Sequence, residues 1–196
     1  MLLAAVSCGD KTAGPADYHG VSRTPAIAKP AFTLTATDGK PYVFAQRTAG
    51  HVALLFFGYT HCPDACPAHM QNIAAVLKTM PAADRQRLDV VFVTTDPERD
   101  TAQALRAWLD NFDPGFIGLT GSAEEVARIQ ASMGMPPSMR EMTPDGSLGG
   151  YGMGHAAQVL AFGSDDSAHI EYPFGIQRED WAHDLPLLLH TRWRAK

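Results

Sequence analysis

Strands alternating with helices along 196 residues predict an α/β domain with a central mixed sheet flanked by helices. Three observations carry this expectation. Val52 to Phe57 and Leu88 to Thr94 are continuous apolar runs of strand length, the mark of strands buried on both faces. Each is followed by a stretch whose apolar residues recur at helical spacing. Two alternating segments near the C-terminus then form a hairpin before a last helix. The chain is long enough for one such domain and too short for two comfortable ones.

Taken in order, residues 1–8 are short, apolar and uncharged, like the tail of a secretory signal, with the small residue Ser7 just before Cys8. That arrangement resembles a bacterial lipoprotein cleavage box and predicts an exported protein, periplasmic or in the cell envelope, anchored to the membrane by lipid on Cys8. Residues 9–30 are rich in Ala, Gly, Pro, Thr and Asp without an apolar period, and are expected to be a flexible tether to a folded domain at 31–196. Phe32 to Ala36 alternates as a strand, Asp38-Gly39 turns the chain, and Tyr42 to Phe44 returns. After the strand at Val52 to Phe57, Met70 to Met80 reads as a helix closed by Pro81. After Leu88 to Thr94, Thr101 to Phe112 carries Leu105, Trp108 and Leu109 on one helical face. Phe116 to Leu119 is a short strand, and Ser122 with Glu125 three residues on is a capping box. Ala156 to Phe162 and Ala168 to Tyr172 make the hairpin; Arg178 to His190 is the last helix, which Pro186 is expected to kink or shorten.

Composition narrows the function. Lys plus Arg number 16 against 21 Asp plus Glu, a formal charge of −5, so the chain lacks the basic excess that nucleic acid attracts. A 45% hydrophobic content excludes general disorder, and 3 Cys are too few for a disulfide scaffold. No run approaches the ~20 apolar residues of a spanning helix, which leaves the Cys8 lipid as the expected membrane contact.

The informative segment is Gly58-Tyr59-Thr60-His61-Cys62-Pro63-Asp64-Ala65-Cys66-Pro67, between a buried strand and a helix. A helix N-terminus offers unpaired N–H groups that favour thiolate at both cysteines, and residues at i and i+4 share a helical face. Three chemistries fit the pair. A structural disulfide would staple little chain. A thiol–disulfide exchanger with Cys62 and Cys66 as redox pair would usually carry two intervening residues rather than three. Metal ligation by two soft thiolates would suit copper(I) or a partly open zinc site once a nitrogen joins them; iron–sulfur clusters normally need more cysteines. Of the 8 histidines, His61 adjoins Cys62 too closely to share its ion, and His69 is an auxiliary possibility on the neighbouring helix face. His155 stands apart, at the end of a flexible, glycine-rich loop, Gly149 to Gly154, and just before a strand. Met133, Met135, Met139, Met142 and Met153 enrich the same region in thioethers, which serve either packing or passage of a soft ion. Asp96, Glu98, Arg99 and Asp100 cluster past a strand end, with Asp100 expected to cap the following helix and Arg99 to pair with a neighbour.

The run GYTHCPDACP, followed by VVFVTTDPERDT at Val90 to Thr101 and by His155, resembles the Sco/SenC family of copper-binding, thioredoxin-like proteins over nearly the whole folded part. The resemblance implies a thioredoxin-like fold, and Cys62, Cys66 and His155 as copper ligands. It implies a metallochaperone that delivers copper to, or reduces, the dinuclear centre of cytochrome c oxidase, with that centre's subunit or another copper chaperone as partner. Some bacterial members act in redox defence, which keeps a metal-independent thiol–disulfide oxidoreductase as the alternative. The sequence departs from the family where Gly154 precedes the histidine in place of the common acidic residue, and where Phe162 to Asp166 lacks the usual Asp-Pro turn.

Overall fold

A computed structural model describes residues 17–143, 147–154 and 156–193. In chain order the elements are β1 (Val21–Ala28), β2 (Thr33–Ala36), β3 (Pro41–Val43), α1 (Phe44–Arg47), β4 (Val52–Gly58), α2 (Ala65–Leu77), α3 (Ala82–Arg85), β5 (Leu88–Thr94), α4 (Ala102–Asp110), β6 (Ile117–Thr120), α5 (Ala123–Ser132), β7 (Met139–Met142), β8 (Tyr151–Gly154), β9 (Val159–Phe162), β10 (Ser167–Tyr172) and α6 (Arg178–His190). Eight strands form one mixed sheet in the order β1-β10-β9-β4-β5-β6-β2-β3. The pairs β4–β5 and β5–β6 are parallel, as the crossover helices α2 and α4 require. The remaining pairs of this sheet are antiparallel.

The apolar runs are continuous because each face of the sheet is covered. Leu54, Phe56, Val90 and Phe92 pack with Ile73 of α2, Leu105 of α4 and Trp181 of α6. Their neighbours Leu55, Phe57, Val91 and Val93 pack on the other side with Phe44, Val126 and Phe162. Every residue of β4 is buried, so the strand that leads into the cysteine loop is among the most constrained parts of the chain. The expected capping box holds α5, with the Ser122 hydroxyl accepting from the Glu125 N–H at 3.2 Å and the Glu125 carboxylate accepting in return at 2.9 Å.

Three expectations are corrected. The tether assigned to 9–30 is strand from Val21 to Ala28; residues 9–16, like Cys8, lie outside the described residues. This edge strand pairs with β10 through its backbone, and its register breaks between Ser22 and Ile27 around Pro25, so it carries no apolar period to read. A buried Asp184 on α6 fixes its start, accepting the N–H groups of His19 (3.0 Å) and Gly20 (2.9 Å). Secondly, the approach to position 155 is strand β8, paired with β7 as a two-stranded sheet of its own. Thirdly, α6 runs through Pro186 at full length, anchored by buried Trp181, Leu185, Leu188 and Leu189 on either side of the proline. Among the described residues, no helix is long and apolar enough to cross a membrane.

Candidate metal centre

β4 delivers the chain to the sheet edge at Gly58, and the segment 59–64 carries Cys62 over to α2, where Cys66 is the second residue. Both cysteines are thiols; Cys62 is partly exposed and Cys66 buried. The Cys66 N–H points at Cys62 Sγ across 3.5 Å, which brings both residues to the helix N-terminus as the spacing predicts. Gly58 makes room for this arrangement, since a Cβ there would stand 2.6 Å from Cys66 Sγ. The expected stabilisation of thiolate fails at Cys66. Burial pushes that thiol well above its ordinary value, and the adjoining Cys62 adds to the rise, so desolvation outweighs the helix end.

Asp100 does not cap a helix. Thr101 caps α4, accepting from the Ala104 N–H at 3.1 Å. The fully buried Asp100 carboxylate instead accepts the Thr60 N–H (2.9 Å), the Thr60 hydroxyl (2.6 Å) and the Thr94 hydroxyl (2.7 Å). It thereby fastens the first residues of the cysteine loop to the end of β5. His61 stays exposed, with Nδ1 3.8 Å from Asp100 Oδ1. Next to this staple, Arg99 pairs with Asp96 and donates to the Tyr151 carbonyl at 3.0 Å, and the Tyr151 hydroxyl donates to Asp96 at 3.0 Å.

His155 lies outside the described residues. The residues two before and two after it are both tied to the cysteine region: Tyr59 is hydrogen-bonded to the Met153 backbone, and His69 Nε2 donates to the Ala157 carbonyl at 3.0 Å. His69, the auxiliary possibility, is therefore committed through Nε2, and its buried ring is packed among Phe56, Trp181 and Phe174. At the preceding position, Gly154 leaves a space that the Glu141 carboxylate fills from the adjacent strand, so an acidic group stands beside residue 154 although none is attached to it. The methionines divide: Met133 and Met135 are core, whereas Met139 and Met142 are 67% and 73% exposed on β7. His19, His183 and Asp184 also approach one another within 4.8 Å, but Asp184 is already spent on backbone N–H groups and on His183 Nδ1 at 2.7 Å, so this cluster fastens residues 19 and 20 to α6.

Sequence reasoning passed over Tyr59, Tyr151 and Arg140. The one available signal was an aromatic residue set among the glycines of 149–154, where a mere loop has no use for a large ring.

The SCO1/SenC family matches residues 21–190. A protein of Stutzerimonas stutzeri described as a putative copper-binding protein is 34% identical over 156 residues, which cover 77% of this chain and 74% of that one. The structure of Bradyrhizobium japonicum ScoI with copper bound superposes with a TM-score of 0.70 at 34% identity, over 83% of this chain and 99% of that one. Arabidopsis thaliana ScoI with copper bound gives 0.70 at 28% identity, over 83% and 98%. The architecture is thioredoxin-like, and the chain belongs to the SCO1/SenC family.

Proposed function

We propose that this protein is a copper metallochaperone that holds copper(I) between Cys62, Cys66 and His155. The observation that carries the reading is the paired thiols at one helix N-terminus, with chain on both sides of position 155 fastened to the same region. The donor chemistry fits a soft monovalent ion: two sulfurs and one imidazole match copper(I), and no H-E-x-x-H helix supports a zinc hydrolase. The copper bound to the two ScoI relatives supports the same metal.

Binding replaces the thiol protons by the metal, so the buried Cys66 gives up a proton on loading. The ligands come from separate segments, which permits stepwise release: the nitrogen leaves while a partner thiolate takes the ion. Disulfide formation removes two electrons and two protons from the pair and with them the copper ligands, so the same cysteines can reduce an oxidised copper centre. The recipient in this reading is the copper-centre subunit of cytochrome c oxidase or another copper chaperone, a choice that the family resemblance supports. Export, with lipid at Cys8 as the membrane anchor, puts the site in the compartment where that centre is assembled.

X-ray absorption at the copper edge of anaerobically loaded protein tests the ligand set. The expected first shell is two sulfurs and one nitrogen, with the nitrogen lost in His155→Ala. A sulfur shell unchanged in Cys62→Ala, or failure to load, contradicts it. The alternative, a metal-independent thiol–disulfide oxidoreductase, predicts that reductase activity survives His155→Ala.

A further inference from the structure

The β7–β8 hairpin that leads to position 155 shares no backbone ladder with the main sheet. All four residues of β7 are exposed. A lone two-stranded hairpin is marginal in water, so side chains must decide where this one rests. They converge on Tyr151. The Arg99 guanidinium lies 3.6 Å from the Tyr151 ring centroid and that of Arg140 4.2 Å, so the ring is held between two cations. Arg99 also donates to the Tyr151 carbonyl at 3.0 Å, and the Tyr151 hydroxyl reaches Asp96 at 3.0 Å. The same guanidinium stands 5.8 Å from the Tyr59 ring, on the cysteine loop.

The two arginines are unequal. Arg140 pairs with Glu98 at 2.7 Å, but both side chains are well exposed, and exposed pairs hold little. Arg99 and Asp96 are largely buried, so their charge-assisted pair is the stronger of the two. Both cations have carboxylate counterions, Asp96 and Glu98, so the cluster is locally neutral and does not repel a copper ion.

We propose that Arg99, clamped on Tyr151, is a positioning residue for the nitrogen ligand: it sets the distance between the β8 end and the cysteine loop, and so the affinity for copper(I). This rests on the assignment of His155 as ligand. Arg99 does not touch the ion; it acts by holding the strand that presents the histidine. Partners that orient a metal-binding histidine typically matter by roughly ten- to a hundred-fold in affinity, and a clamp acting at one remove belongs at the lower end.

The test is a double-mutant cycle read by copper(I) competition against a chromogenic chelator under anaerobic, reducing conditions. Arg99→Ala is expected to weaken binding about ten-fold in the wild-type background and not at all in His155→Ala, because the residue it positions is then absent. Tyr151→Leu, which leaves the Asp96–Arg99 pair intact, is expected to behave the same way and guards against misfolding of Arg99→Ala; circular dichroism and thermal midpoints accompany each variant. Arg99→Lys keeps the charge without the flat stacked fork and is expected to recover only part of the affinity. Equal losses in both backgrounds, or no loss in either variant, overturn the clamp while leaving the ligand set standing. Wild-type affinity in His155→Ala would overturn the ligand assignment, and the clamp with it.

Discussion

At the scale of single residues, the two cysteines are chemically distinct although four positions apart. Cys66 is buried with its thiol pushed up by desolvation, and Cys62 is partly exposed. Brief alkylation of the reduced protein near neutral pH is therefore expected to label Cys62 first, by peptide mass mapping; equal labelling would contradict the burial of Cys66. Because thiolate is the reacting form, labelling at Cys66 should catch up only as pH rises past the ordinary thiol range. Asp100 is the other decisive side chain. Asp100→Ala strips partners from the Thr60 N–H and from the hydroxyls of Thr60 and Thr94, and is expected to cost about 3 kcal/mol in denaturant unfolding. Asp100→Asn, which retains an acceptor, should cost less. The role of Asp100 was not legible in the sequence, where an acid before a helix reads as its cap. Adjacent Thr101 takes the cap, and burial leaves the carboxylate to the loop.

At the scale of elements, the long apolar strands and their helices were legible because burial on both faces leaves an uninterrupted apolar run. β5 matches its expected bounds, Leu88–Thr94. β1 and the β7–β8 hairpin were not legible. One is an edge strand held by backbone bonds around a proline; the other is held by Arg99 and Tyr151 rather than by an apolar face. The junction of β4 with the loop is sterically closed at Gly58, so Gly58→Ala must move Cys66 Sγ. The expected result is destabilisation of about 1–3 kcal/mol, typical of overpacking, with weaker copper binding; full affinity would show that the sulfur had room to spare. His69 ties α2 to the segment after position 155. His69→Phe keeps the packing but drops the bond to Ala157, and should lower copper affinity while moving the thermal midpoint little.

At the scale of the whole molecule, one sheet edge gathers the cysteine loop from β4, the acidic and arginine cluster from β5, and both flanks of position 155. The cysteine pair and its place between strand and helix could be read from local sequence. The proposed third ligand could not, because the cysteine loop and the segments on either side of position 155 are brought together only by the sheet order, with β4 lying between β5 and β9. The family resemblance supplied that link. Midway along α6, Asp184 ties His19 and Gly20 to that helix. Asp184→Ala is expected to open residues 17–20 to limited proteolysis while leaving copper affinity intact; unchanged protease resistance would refute the tie. The central claim is a three-ligand copper(I) site, and the most direct measurement is anaerobic chelator competition on wild type, Cys62→Ala, Cys66→Ala and His155→Ala. The account predicts tight binding by wild type and a large loss in each variant. Weak binding by the wild type, or wild-type affinity in any of the three variants, would contradict it.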